Sequence, residues 1–368
     1  QKQREAVQKS VPRVMVMQDM KEPRETFLLD RGLYNERREP VAAQVPASLP
    51  PLPEEAPANR LTLARWLVCE EQPLTARVTV NRFWQQVFGV GLVKTAEDFG
   101  VQGEVPHHLD LVNWLAADFR DHDWDVKRLM RMFVTSHTYR QSSRTTPELV
   151  ERDPANRLLA RAPRYRLPFW MIRDQALSAS GLLVPQHGGP AVNSYQPAGI
   201  WEEATFGNKK YSQDRGDSLY RRSLYTFWRR IIAPTMFFDS ASRQTCTVKA
   251  NRTNTPLQSL LTLNDVTYVE AARQLAQLAM TQEAADDGRL AFVYDRILAR
   301  PVRAAEQQVL LNALQRSRVT FMTEPQAAED LLKQGESPRD ETLNPVEHAA
   351  WTALCLAVFN LDETLSRQ

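Results

Sequence analysis

Six prolines between Pro40 and Pro57 place the hardest constraint on how this chain can fold. Each proline holds φ at about −65° and lacks a backbone donor, so no helix or inner strand can run through Pro40, Pro46, Pro50, Pro51, Pro53 and Pro57. The stretch reads as polyproline-like and ends at Asn59, where a helical pattern begins. Asn59 is the expected N-cap of a helix over 60–69, with Leu61, Ala64, Leu67 and Val68 on one face. The clearest boundary of the chain falls there. Residues 1–58 read as an extended strap packed along a neighbour, the end of a preceding domain. Within it Val14-Met15-Val16-Met17 is β-prone, and Thr26-Phe27-Leu28-Leu29 leads into a turn at Asp30-Arg31-Gly32.

Residues 59–368 read as a mainly α domain, a multi-helix bundle with an irregular insertion that carries a small β element. Thr75 is expected to cap a helix with Val78, Phe83, Val87 and Phe88 on one face, stopped by Gly89. Pro106 opens a third helix through Leu109, Val112, Trp114, Leu115 and Phe119, and Asp125 caps a fourth. Helices over 156–161 and 169–183 continue the bundle. Prolines and glycines then punctuate an insertion over about 184–253, where Leu219 to Trp228 alternates as a strand would. Thr255-Pro256 restarts helix, with a break offered at Asn264-Asp265. Further helices follow over 290–299, 304–316 and 326–333, and a closing one after Asn344-Pro345 has Trp351, Leu354, Cys355 and Val358 on one face.

Composition excludes several function classes. Hydrophobic residues make up 43% and charged residues 24%, which is globular rather than disordered. The 46 basic and 44 acidic residues nearly cancel, a balance that argues against nucleic acid as a partner. No run of about 18 apolar residues is available to span a membrane. Cys69, Cys246 and Cys355 lie far apart, with no CxxC or CxxCH, so neither a zinc ribbon nor covalent haem has its ligands in this chain. GxSxG elbows and glycine-rich phosphate loops are absent from the sequence. The histidines form no metal motif: His107-His108 open a helix, His122 sits among Asp121, Asp123 and Asp125, and His137 follows an apolar face. His187, beside Gly188-Gly189, is the most site-like. No metal ligand set and no cofactor site is expected.

Two constellations carry the candidate chemistry. The first is Asp239, Arg243, Arg252, Asn254, Gln258, Asn264 and Asp265, polar side chains where the insertion feeds a helix N-terminus. Free N–H groups and the helix dipole there suit an anion, and the arginines suit a carboxylate or sulfate. Asp239 or Asp265 would then act as base or metal ligand. The same residues would equally serve to cap the helix and pin the insertion by ion pairs. The second is an aromatic platform of Trp201, Tyr211, Tyr225 and Trp228, read either as a sugar-stacking face or as core packing.

Several spaced blocks carry a family resemblance. They are Arg60-Leu61-Thr62-Leu63-Ala64-Arg65-Trp66-Leu67, Pro73-Leu74-Thr75-Ala76-Arg77 with Asn81-Arg82-Phe83-Trp84, Gly89-Val90-Gly91-Leu92-Val93, Tyr220-Arg221-Arg222-Ser223-Leu224-Tyr225, and Arg252-Thr253-Asn254-Thr255-Pro256-Leu257-Gln258. Asn264-Asp265 and Asn360-Leu361-Asp362-Glu363 complete the set. From about Asn59 onward the chain resembles the planctomycete-specific domain-one family, a domain of unknown function, and residues 14–32 resemble the tail of its companion domain. The resemblance implies an exported protein, periplasmic or extracellular, with haem c held only in upstream cytochrome-c-like segments. It implies no catalytic residues. Three readings stand open: a noncatalytic binding or assembly module whose partner is the upstream companion or cytochrome-like domain, an enzyme acting on extracellular polysaccharide, whether sulfated or not, and a scaffold docking the haem domain.

Overall fold

The computed structural model describes residues 2–11, 13–229, 232–233, 238–240, 245–249 and 252–367. Backbone contacts divide the chain into two units, residues 1–133 and 134–368. The chain is mainly α-helical, with two small antiparallel sheets among the described residues.

The first unit opens with a helix, α1 (Lys2–Ser10), where an extended strap was expected. Straight-chain Lys, Gln, Arg and Glu lose little side-chain freedom in a helix, which favours it locally. Val14 to Met17 form no strand and stand exposed, with no strand paired to them among the described residues. β1 (Phe27–Leu29) pairs with β2 (Arg37–Pro40) around the turn at Asp30–Gly32, and Pro40 sits at the strand end, where a missing donor is tolerated. The proline-rich stretch that follows holds no regular element and is pinned by the Trp66 indole N–H, which donates to the Pro50 carbonyl at 2.8 Å.

Asn59 caps α2 (Arg60–Leu67) by accepting the Thr62 N–H at 2.9 Å. The buried face of α2 is Thr62 and Trp66, while Leu61, Leu67 and Val68 of the expected face are exposed. Thr75 is the first residue of α3 (Thr75–Phe88) rather than its cap; Gln72 takes the Leu74 N–H instead. α4 (Leu109–Asp121) starts three residues after Pro106, and Asp125 starts α5 (Val126–Thr135) by accepting the Arg128 N–H. Trp84 and Phe88 of α3 stack at 3.9 Å and meet Phe133 edge-on, alongside Val112, Leu115 and Phe119. Buried Asn81 exchanges two 2.9 Å hydrogen bonds with the backbone of Val93. Gly91 lies between them, and a Cβ there would come within 2.5 Å of the Val93 carbonyl oxygen.

The second unit contains α6 (His137–Arg140), α7 (Pro147–Arg152), β3 (Tyr165–Arg166), α8 (Phe169–Ala179), α9 (Ile200–Ala204), α10 (Pro256–Asn264), α11 (Val266–Gln282), α12 (Asp286–Leu298), α13 (Ala304–Thr323), α14 (Pro325–Leu332), α15 (Pro345–Phe359), α16 (Asp362–Leu365) and β4 (Ser366–Arg367). Residues 156–161 form turns instead of the expected helix. Asp153 accepts the Arg157 and Leu158 N–H groups and Asn156 donates to the Arg161 carbonyl, side-chain bonds that compete with a helix ladder. Residues 219–228 likewise form no strand. Two 3-10 turns, Gly216–Tyr220 and Ser223–Tyr225, alternate with isolated bridges from Val184 to Arg221 and Val192 to Thr226. The two-stranded sheet of this unit lies outside the insertion, where β3 pairs with β4.

The core is built on α11 and α15, packed with α8, α12, α13 and α14. Ala271, Ala272, Ala276 and Ala279 on α11 and Ala349 and Ala350 on α15 are buried small residues, which let the helix axes approach closely around Trp351. Asn344 caps α15 through the Glu347 N–H. Arg318 of α13 bridges Asp286 of α12 and Glu347 of α15, with all four contacts between 2.7 and 2.8 Å.

Candidate functional site

The insertion is fastened to the helical core by charged residues that sit in otherwise apolar helix faces. Arg173 of α8, 1% exposed, donates to the Leu219 and Arg221 carbonyls at 2.8 Å, and Asp174 receives the N–H and hydroxyl of Ser223. Glu270 of α11 is buried and accepts the hydroxyls of Tyr195 (2.9 Å) and Tyr220 (2.8 Å) and the Ser337 N–H (2.6 Å), with Arg273 3.8 Å away. Burial, then the Glu270 charge, pushes both tyrosine hydroxyls well above the ordinary range, so they remain donors. Gly335 closes over this cluster at φ +87, and a Cβ there would lie 2.3 Å from the Glu270 carboxyl carbon. The block Tyr220 to Tyr225 is thus a fastening: Arg221 stacks on Tyr225 at 3.9 Å and donates to the Pro190 carbonyl.

α10 starts where the first constellation was expected. Thr255 occupies the cap position but makes no side-chain cap bond, contrary to the expectation for it. Asp239 accepts the N–H (2.7 Å) and hydroxyl (2.8 Å) of Thr253 and lies 3.4 Å from the Gln258 amide. Asn254 accepts from Arg166 at 2.9 Å, and Arg252 stacks over Tyr165 at 4.3 Å. Asn264 and Asp265 belong to the other end of the helix, about 13 Å away at 1.5 Å per residue. Asn264 donates to the Leu260 carbonyl, and Asp265 caps α11 through the Thr267 N–H at 2.9 Å. The six described residues of the constellation therefore separate into a group at each end of α10, and the seventh, Arg243, lies outside the described residues.

α10 is turned inside out. Its buried positions are the polar Gln258 (4% exposed) and Thr262 (1%), whereas Leu257 (70%), Leu260 (57%) and Leu263 (42%) face outward. Thr262 donates to Asn360 at 2.5 Å, which fixes the inward face. Beside the leucines runs a groove of about 910 Å³, walled by Leu257, Leu260, Leu261 and Val266 on one side and by Tyr195 and Pro197 on the other.

The four aromatic residues are not gathered onto one open face. Trp201 is buried between Tyr211 (5.4 Å) and Phe227 (6.0 Å), and its N–H donates to Gln196. Burial raises the Tyr211 hydroxyl to about 12 while it donates to the Ser194 carbonyl. Tyr225 accepts the Gly188 N–H beneath Arg221, and Trp228 packs against the helical core. The three cysteines are unpaired, Cys355 buried, Cys69 half-buried and Cys246 exposed.

Sequence reasoning missed Arg166, Arg173, Tyr268, Glu270 and His348. For Glu270 and Arg273 a signal existed, opposite charges three residues apart in a helix that is otherwise apolar. His348, in the first turn of α15, is buried with Nε2 on the Arg273 carbonyl, and burial depresses its pKa.

Among the described residues no helix is long and apolar enough to cross a membrane, and no cluster of three metal-binding side chains occurs. Comparison with curated proteins and with solved structures finds no match. A family model does match, over residues 59–314, which spans the elements from α2 through most of α13. On that match the chain belongs to the PSD1 family, described as a protein of unknown function (DUF1553).

Proposed function

We propose that the chain is a noncatalytic binding and assembly module of an exported, cytochrome-c-linked protein, and that its partner seats on the leucine face of α10. The observation that carries this reading is the inversion of α10. Three exposed leucines at spacing three form one stripe, while buried Gln258 and Thr262 hold the helix in that orientation by side-chain bonds. Apolar surface of this kind beside a groove marks an interaction site. The partner is the upstream companion or cytochrome-like segment of the longer protein, which makes the scaffold reading one form of the same proposal.

The reading of an enzyme acting on polysaccharide has less support. Asp239 and Asp265, its expected base or metal-ligand groups, both hold backbone N–H groups, Asp239 that of Thr253 just before α10 and Asp265 that of Thr267 in α11. Trp201 is enclosed and offers no ring face to a sugar. Titration of the separately produced companion segment into the chain tests the proposal. Leu260→Asp is expected to weaken binding by at least about tenfold, as removal of a central apolar anchor does. Equal affinity in the variant, or no association with the unaltered chain, would sink the reading.

A further inference from the structure

Arg166, on β3, presents an unusual arrangement. Its Nη1 donates to Asn254 at 2.9 Å and its guanidinium lies over the Phe238 ring at 5.5 Å, so the side chain is held in one pose. Its Nε and Nη2 are buried and have no hydrogen-bond partner. These two atoms share one edge of the guanidinium, the fork that receives two oxygens of a carboxylate or sulfate side by side. A desolvated guanidinium edge without an acceptor is costly, and a preformed receptor is one arrangement in which the cost is met on binding.

A second unpartnered donor lies within electrostatic reach of Arg166. Tyr268 of α11 is 1% exposed and its hydroxyl has no partner. Burial and then Asp265 raise its pKa, against a smaller pull from Arg173 and Arg166, so it stays protonated. The carboxylates within electrostatic reach are engaged elsewhere: Asp239 with Thr253, Asp265 with Thr267, Asp174 with Ser223, and Asp362 with Arg164. Arg166 is half-buried, and Asn254, which holds its Nη1, is exposed.

We propose that Arg166 is the receptor for an oxyanion, a carboxylate or sulfate group, bound through its Nε–Nη2 edge with the Tyr268 hydroxyl as second donor. The ligand class is an acidic or sulfated small molecule or saccharide terminus. The site is separate from the leucine face of α10 and stands or falls independently of it.

Thermal unfolding of the full chain in sodium sulfate and in sodium glucuronate, against sodium chloride at equal ionic strength, tests the site. A saturating rise in melting temperature is expected with at least one oxyanion. Saturation by sulfate at the lower concentration identifies a sulfate ester, and by glucuronate a carboxylate. Arg166→Lys keeps the charge and loses the fork, so the apparent dissociation constant should rise at least about tenfold. Tyr268→Phe removes one donor at constant shape and should weaken binding severalfold. It also decides the matter if Arg166→Lys fails to fold. The proposal is overturned if the rise is non-saturating and identical in the variants, as a general salt effect would be. It is overturned too if Tyr268→Phe raises stability without altering the sulfate and glucuronate titrations.

Discussion

Helices α10 and α15 draw on similar residues and use them in opposite ways. α15 buries Ala349, Ala350, Trp351, Leu354, Cys355, Leu356 and Val358, covering nearly its whole circumference. α10 turns Leu257, Leu260 and Leu263 outward and buries a glutamine and a threonine. Hydrophobicity alone would have placed both helices in the core. What separates them is bonding on the inward side: Gln258 answers Thr253 and Thr262 answers Asn360, so rotating α10 would bury leucine only by stranding polar groups. α15 defines the fold, and α10 presents a surface.

The comparison breaks most visibly through Trp351. Trp351→Ala should cost about 3–5 kcal/mol in urea unfolding, the range for truncating a fully buried large aromatic. A loss under about 1 kcal/mol would mean that α15 is not the centre of the core. Next comes Gly335→Ala, which drives a Cβ into the Glu270 carboxyl at positive φ and should cost roughly 2–3 kcal/mol. A neutral result would show that the cluster joining insertion to core is loose. Thr262→Val should lose about 1 kcal/mol by leaving Asn360 without its hydroxyl donor. If it stabilises the chain instead, polar bonding does not orient α10.

Acid should loosen the core in two windows. Burial keeps His348 neutral in the fold, so the unfolded chain takes up the proton first, and stability falls as pH drops below about 6.5. Glu306 is held down to about 2 by Arg300, so its contribution is complete above about 4.5 and is lost between about 4.5 and 2. Unfolding midpoints across pH 8 to 3 check both, and His348→Gln should flatten the upper window only. The smallest effect belongs to the outward face of α10. Leu260→Asp should shift stability by no more than about 0.5 kcal/mol, as exposed substitutions do.

Local signals made much of this architecture legible. Asn59, Asp125 and Asn344 announce helix starts because each accepts the N–H three residues on, and Asp265 marks the break between α10 and α11 by accepting the N–H two residues on. The turns over 156–161 and 219–228 were not legible, since side-chain bonds to nearby backbone and to Arg173 override the periodic pattern. Asp239, Thr253 and Gln258 could be grouped from sequence because they gather at one helix start. Arg166 could not, since it stands 88 residues before the asparagine that holds it. Nor does a leucine-rich pattern declare which side of a helix the fold will leave open.

Hydrogen–deuterium exchange on α10, in this chain alone and with the proposed companion segment added in excess, tests the central claim most directly. The account predicts that amides over Leu257–Leu263 exchange at least about tenfold more slowly with the companion segment bound, while those of α11 and α15 do not change. Equal exchange of α10 in both, or equally strong protection already present in this chain, would contradict it.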